Sequence, residues 1–394
     1  MEVLHFFLYI LLTIFFIGLI ILFHEVGHFC AAKLFGVRVE RFAFGLPLCG
    51  PIIFRKKIFD TEFIVHLLFF FGGYIAYPES NPKCDLPMNS SKRFLNKTSF
   101  QKSFITLAGI FMNICVSFLI LLLIGIFCKF IPLNNYEVVI DSFKNQKHID
   151  VKNQQLKQGD IIYSINNKRI NDIIALQEYF RVYQPSIKKY RNGNKQLLSH
   201  NNNQLLIFLP DIYVNDIKDS NEVVVIRDNE KVSIDNINVN ENGSLGINVY
   251  VKEKYEKISS FPILVKNSLK GIFNQFYILF FYLKELITGS ISITDVRGIF
   301  SIIKISADLG FYGSCARMLW LMSFLSLNMA LINLFPIPVF DGGKFLIILS
   351  GDLFKKSVKR STMEKIMKIT FSSFNIIFLL IVLNDIYSIL RGIV

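Results

Sequence analysis

Tryptophan is the scarcest residue type here, with one in 394 residues. With abundant Phe, Ile, Lys and Asn, it reads as drift toward A/T-rich codons and carries no chemistry. Acid is scarce too: 30 Asp and Glu face 43 Lys and Arg, a net charge of +13. Such an excess admits a nucleic-acid partner in principle. The basic residues, however, are spread through loops beside apolar runs, the pattern of membrane-flanking charge, so no nucleic acid is expected. The six cysteines (Cys30, Cys49, Cys84, Cys115, Cys128 and Cys315) contain no C-x-x-C pair. That speaks against a disulfide framework or a cysteine metal cluster, and they are read as small buried apolar residues. No inverted repeat is visible, which argues against a transporter. No small-residue cleavage site follows the first apolar run, so that run is expected to stay in the mature protein, with no separate targeting peptide before it.

What is present is apolar. The chain is 52% hydrophobic with a mean hydropathy of +0.43. This fits a multi-pass α-helical membrane protein with a soluble part. Leu4–Phe23 is long enough for one span, and its helix is expected to run on to Leu34. Phe104–Ile131, Arg317–Phe335 and Ile369–Leu383 give three more, about four spans in all. Phe261–Ile287 is interrupted by Lys266, Lys270, Lys284 and Glu285 and is expected to be a membrane-associated helix. Between the first two spans, Gly36–Tyr77 consists of short β-prone pieces broken by Gly and Pro. These are expected to form β-hairpins near the membrane, with His66 as a strand-face or interfacial residue. Three regions follow: an N-terminal membrane part (1–131), a soluble β-rich module (132–260) with an irregular low-complexity insert near 181–220, and a C-terminal membrane part (261–394). Within the module, Ile161–Ile165 and Gly243–Val251 read as strands and Ile173–Phe180 as a helix. Glu222–Ile226 and Lys231–Ile234 read as a hairpin around Asp228-Asn229.

The first apolar run ends in His24-Glu25-Val26-Gly27-His28. Histidines four apart share one helix face and can hold one metal ion. Neutral imidazoles suit Zn²⁺, and a Glu beside the first His suits a general base acting on water. The loop Ala31–Phe104 carries eleven Lys and Arg and Gly342–Lys368 carries seven. With four spans both face the inner side, and the module faces the opposite one. His24 and His28 then fall at the inner end of the first span. Asp341, after Pro336-Ile337-Pro338, falls at the inner end of the third. An acid at that depth is costly unless it is paired or binds a cation, so Asp341 is the expected third ligand. On the second span Gly109 and Asn113 share a face; the glycine permits a close helix contact, and the Asn either faces the site or bonds another helix.

These stretches carry a resemblance. HEVGH, FAFG, GGYIAY, AGIFMN (108–113) and NLFPIPVFDGG (333–343) resemble the site-2 protease family of intramembrane zinc metalloproteases, and GGYIAYPESNPKCDLP is similar to its cyanobacterial and plastid branch. Gln155–Phe180 resembles the PDZ module of that family. Ile110, Phe70 and Ile299 stand where the family usually has Pro, and Phe340 where it has Leu. The resemblance implies one Zn²⁺ per chain on His24, His28 and Asp341, with Glu25 as catalytic base. It implies cleavage within or near transmembrane segments of substrate proteins already trimmed by another protease. Asn333, Asn113 and the Gly72-Gly73-Tyr74 segment are expected to contact the substrate. The location it implies is a bacterial inner membrane or a plastid-type membrane. The alternative is an inactive membrane adaptor that binds partners through the PDZ-like module.

Overall fold

In the computed structural model, the described residues are 2–45, 50–80, 85–131, 136–143, 155–170, 198–201, 204–209, 221–237, 245, 247–253, 258–289, 298–308, 315–353 and 360–390. They divide into two units, one of Met1–Phe127 with Tyr282–Val394 and one of Cys128–Phe281.

The first unit opens on helix α1, Glu2–Leu34. Nothing in its 33 residues breaks a helix until Gly36, whose φ of +65° closes it. There the Val37 N–H bonds the Ala32 carbonyl and the Gly36 N–H that of Lys33, the paired bonds of a glycine C-cap. Four short strands follow: β1 (Arg41–Phe44), β2 (Ile52–Ile58), β3 (Thr61–His66) and β4 (Gly73–Ala76). Helix α2, Ser99–Cys128, begins at a capping box. Thr98 Oγ1 accepts from the Gln101 N–H, and Gln101 Oε1 accepts from the Thr98 N–H.

The four strands are more than hairpins. Their order is β2-β3-β1-β4, with β1 and β3 parallel. The β2–β3 hairpin turns at Phe59, and β4 pairs antiparallel to β1, Phe44 opposite Gly73 and Arg41 opposite Ala76. Strand β4 is therefore an edge strand among the described residues. His66 closes β3, buried, with Nδ1–H donating to the Gly50 carbonyl at 3.1 Å, the strand role expected for it.

Helix α3 spans Phe261–Ile287, the bounds read from the sequence. In the first unit, α4 (Ile299–Asp308), α5 (Cys315–Leu334), α6 (Asp341–Leu353) and α7 (Arg360–Leu390) complete the chain. Asp385 of α7 caps α4, accepting from the N–H groups of Gly298, Phe300 and Ser301. Thr13 of α1 donates to Ser306 of α4 at 2.9 Å. Glycines 342 and 343 bring the start of α6 against Leu334 and Ile337, closer than any Cβ would allow.

Among the described residues, three helices are long and apolar enough to cross a membrane: Phe7–Leu34, Ser99–Cys128 and Cys315–Leu334. The chain is accordingly read as an integral membrane protein. The fourth expected span falls in α7, where the apolar stretch is the shorter Ile376–Tyr387. The expectation of buried cysteines is corrected here. Cys30, Cys115 and Cys315 are exposed; a lipid-facing helix surface is as apolar as a core, so apolar neighbours do not imply burial.

The second unit holds one antiparallel sheet of eight strands: β5 (Tyr136–Phe143), β6 (Ile161–Ile165), β7 (Lys168–Arg169), β8 (Leu198–Asn201), β9 (Gln204–Leu209), β10 (Asn221–Arg227), β11 (Glu230–Ile237) and β12 (Ile247–Glu253). The order is β11-β10-β6-β5-β12-β9-β8, with β7 paired to β6. The insert near 181–220, expected to be irregular, contributes β8 and β9 to this sheet. Asn166-Asn167 and Asp228-Asn229, all at positive φ, make tight hairpin turns. Val138, Ile140, Ile162, Ile165, Val223 and Val225 lie at the centre of its core. The helix expected at Ile173–Phe180 lies outside the described residues.

Candidate metal centre

One turn of α1 carries both histidines inward. Their side chains are buried, their rings 4.8 Å apart and nearly perpendicular. Asp341, the first residue of α6, meets them. Its Oδ2 lies 3.2 Å from His24 Nε2 and 3.0 Å from His28 Nε2, and the two nitrogens are 3.2 Å apart. Three ligand-type atoms thus form a near-equilateral triangle. In a tetrahedral site with bonds of about 2.0–2.1 Å, ligand atoms stand about 3.3 Å apart. The triangle fits that geometry to within a few tenths of an ångström. The donor set of two imidazoles and one carboxylate fits a zinc-type cation, and its fourth corner is free for water or substrate oxygen. His24, His28 and Asp341 are a metal-capable group among the described residues.

The surroundings fix which atoms point inward. His28 Nδ1–H donates to the Ile105 carbonyl of α2 at 2.8 Å, which leaves Nε2 with its lone pair toward the centre. Lys344 donates to Asp341 Oδ1 at 3.1 Å, so that oxygen is occupied and Oδ2 faces the histidines. The side-chain amide of Asn113 meets His24 Nδ1 at 3.2 Å. Gly109, one turn before it, lies so near the rings that a Cβ would come 2.7 Å from His24 Cε1 and closer still to His28 Nε2. Both residues of the expected α2 face therefore lie against the histidines.

Glu25 sits beside this triangle, on the neighbouring face of α1, half-buried. Strand β4 closes over it: a Cβ at Gly73 would come 2.7 Å from Glu25 Cγ. Gly72 gives its carbonyl to the Gly45 N–H, while Tyr74 pairs with Ala43. Asn333 lies half-buried in the last turn of α5 and takes no part in the hydrogen bonds of the triangle. Sequence reasoning missed two neighbours. Lys344 follows the Gly pair by one residue and is found only once α6 is known to start at Asp341. Tyr77 follows β4 and stacks on Phe94 at 5.0 Å. Burial pushes its phenol above the ordinary value, and the nearby Glu25, Asp341 and Glu79 carboxylates add to that, so it keeps its proton. Tyr77 ends the GGYIAY stretch, but nothing in that stretch shows that its ring would lie near the site.

Comparison with known proteins gives this geometry a context. A protein of Nostoc with the name "Putative zinc metalloprotease" is 25% identical over 367 residues, covering 89% of this chain and 88% of its own. One of Clostridium perfringens with the same name is 28% identical over 388 residues, covering 96% of this chain and 98% of its own. An Arabidopsis thaliana protein called a "Probable membrane metalloprotease", chloroplastic, is 26% identical over 339 residues, 84% of this chain and 68% of its own. The model of peptidase family M50 matches residues 12–379. A match over that span makes this chain a member of peptidase family M50, the site-2 protease family.

Proposed function

We propose that this chain is a zinc-dependent endopeptidase that cuts peptide bonds within or near transmembrane segments of other membrane proteins. The observation that carries the reading is the triangle of His24, His28 and Asp341, 3.0–3.2 Å on a side, at the end of an apolar span with Glu25 beside it. The names of the Nostoc and Clostridium perfringens relatives give the same metal, and all three names give the same chemistry.

In this reading His24 Nε2, His28 Nε2 and Asp341 Oδ2 hold one Zn²⁺ per chain. The ion supplies Lewis acidity toward water and toward the scissile carbonyl. Glu25 takes a proton from the attacking water and hands it to the leaving amine as the C–N bond breaks, so the base ends each cycle ionised. Lys344 keeps Asp341 Oδ1 engaged, which holds the carboxylate in one orientation. The Ile105 carbonyl does the same for His28.

The substrate must be extended first, because a helical peptide bond is shielded. Edge strand β4 is suited to that: Gly73 and Tyr74 pair with β1 on one side, and a substrate strand added to the other side would lie next to Glu25. Gly72, Gly73 and Tyr74 are assigned this role, with Asn333 as a further substrate contact. The helix α7 is assigned as a fourth span, and α2 and α5 are assigned as the crossings that set residues 132–260, as a PDZ-like module, opposite the two basic loops. Substrates are single-span proteins already shortened by another protease.

Zinc content of the purified chain tests the reading. One zinc per chain, lost in Asp341→Ala, is expected. Undiminished zinc in that variant would break the ligand assignment.

A further inference from the structure

Zinc binding demands a bare lone pair on both Nε2 atoms. For His28 the demand is met visibly, because its Nδ1–H donates to the Ile105 carbonyl. For His24 the partner of Nδ1 is the side-chain amide of Asn113 at 3.2 Å. Asn113 is 0% exposed, and its own main-chain carbonyl is already taken by Ser326 Oγ at 2.8 Å. The amide turns Nδ2 toward His24, and its Oδ1 is buried with no partner among the described residues. The nitrogen and oxygen of an amide are interchangeable by a half-turn. Either placement leaves one amide atom unpartnered, so the histidine decides. An Nδ2–H donating to Nδ1 would force the ring proton onto Nε2, which faces Asp341 Oδ2 and His28 Nε2. A protonated Nε2 cannot bind metal. The half-turn puts Oδ1 against Nδ1–H and frees Nε2.

We infer that Asn113 is a positioning residue for the metal centre: its side-chain carbonyl accepts from His24 Nδ1–H and holds His24 in the tautomer and ring orientation that bind zinc. The inference rests on the zinc reading above. It gives Asn113 a task other than the substrate contact that its motif implies. Full burial leaves the side chain no surface to offer a substrate. Gly109, one turn earlier, makes the task possible by letting α2 approach the ring without a Cβ between them. Carbonyls that orient ligating imidazoles in this way are worth about 10–100-fold in metal affinity.

The test uses the full chain purified in detergent, with zinc affinity read by competition against a chelator. Asn113→Leu matches the side chain in size and cannot accept; Asn113→Ala cannot accept and cannot clash. Asn113→Asp can only accept. Both non-accepting variants are expected to bind zinc about 10–100-fold more weakly, and Asn113→Asp to stay near wild type. Monodisperse elution separates lost ligation from lost folding, and either non-accepting variant suffices if the other does not fold. Wild-type zinc affinity in Leu and Ala, whatever their activity, overturns the inference. So does an Asp variant as weak as Leu, because that would mean the amide donates. A wild-type chain that binds no zinc at all overturns the proposed function along with it.

Discussion

Two glycines set the tolerances at the site, and they act on different groups. Gly109 touches the histidine rings and Gly73 touches Glu25. An added methyl at each should therefore separate metal holding from proton transfer. Gly109→Ala drives a Cβ into both imidazoles and is expected to lower zinc affinity at least 10-fold, by the same logic that makes ligand orientation worth about 10–100-fold. Gly73→Ala pushes on the Glu25 side chain while leaving the triangle alone. A misplacement of about 1 Å at a reacting group costs about 100-fold, so kcat should fall by about that factor with zinc content unchanged. Zinc analysis and turnover of a fluorogenic membrane peptide, run on both variants, check the pair. Equal zinc loss in the two would contradict the division of labour. The triangle of His24, His28 and Asp341 is legible in the amino-acid order, because 3.6-residue periodicity places the two histidines on one face and loop charge puts Asp341 at their depth. The Gly73–Glu25 contact is not legible there: it depends on the strand pairing, which places β4 over α1.

At the scale of elements, apolar runs without breakers are enough to place α1, α2, α3 and α5, since nothing in them competes with the helix. Pairing among short strands is a different matter. Neighbouring β-prone pieces suggest hairpins, yet β3 runs parallel to β1 and sits between β1 and β2. Strand order of that kind is set by which faces cover α1, with Phe42 and Phe63 both meeting Phe29. In the second unit, β5 is not among the strands read from the sequence, although Pro132 and Asn134-Asn135 precede it. That unit carries a testable ion pair. Asp160, 2% exposed, receives Arg227 Nε at 2.8 Å and Nη2 at 2.7 Å, and the Lys157 N–H at 2.8 Å. Burial alone would raise the carboxyl, but the hydrogen bonds from Arg227 and Lys157 outweigh it and hold it below its ordinary value of 3.8. A carboxylate depressed by folding stabilises the fold fully above its unfolded value, and the stabilisation is lost as pH falls through the lower, folded one. Amide hydrogen-exchange protection of β6 and β10 should therefore drop below about pH 4 in the wild type. Asp160→Asn should cost about 3 kcal/mol at neutral pH, the lower end for breaking a buried pair, and flatten that acid response. An unchanged acid response in the variant would assign it to other groups.

For the whole molecule, the account is that a hydrolytic centre is built at the end of membrane spans. If α2 and α5 each cross once, Lys56 and Lys356 share one side of the membrane and Glu230 lies on the other. Single cysteines placed at Lys56, Lys356 and Glu230 in a cysteine-free background should label accordingly with an impermeant maleimide. Lys56 and Lys356 should react from the same side and Glu230 from the opposite side. Label at Lys356 from the side of Glu230 would contradict α5 as the single crossing between them. The measurement closest to the central claim is the Glu25→Gln variant. The account predicts that it keeps one zinc per chain while a transmembrane substrate, already shortened outside the membrane, accumulates uncut beside a wild type that cleaves it. Cleavage by Glu25→Gln at the wild-type rate would contradict the account.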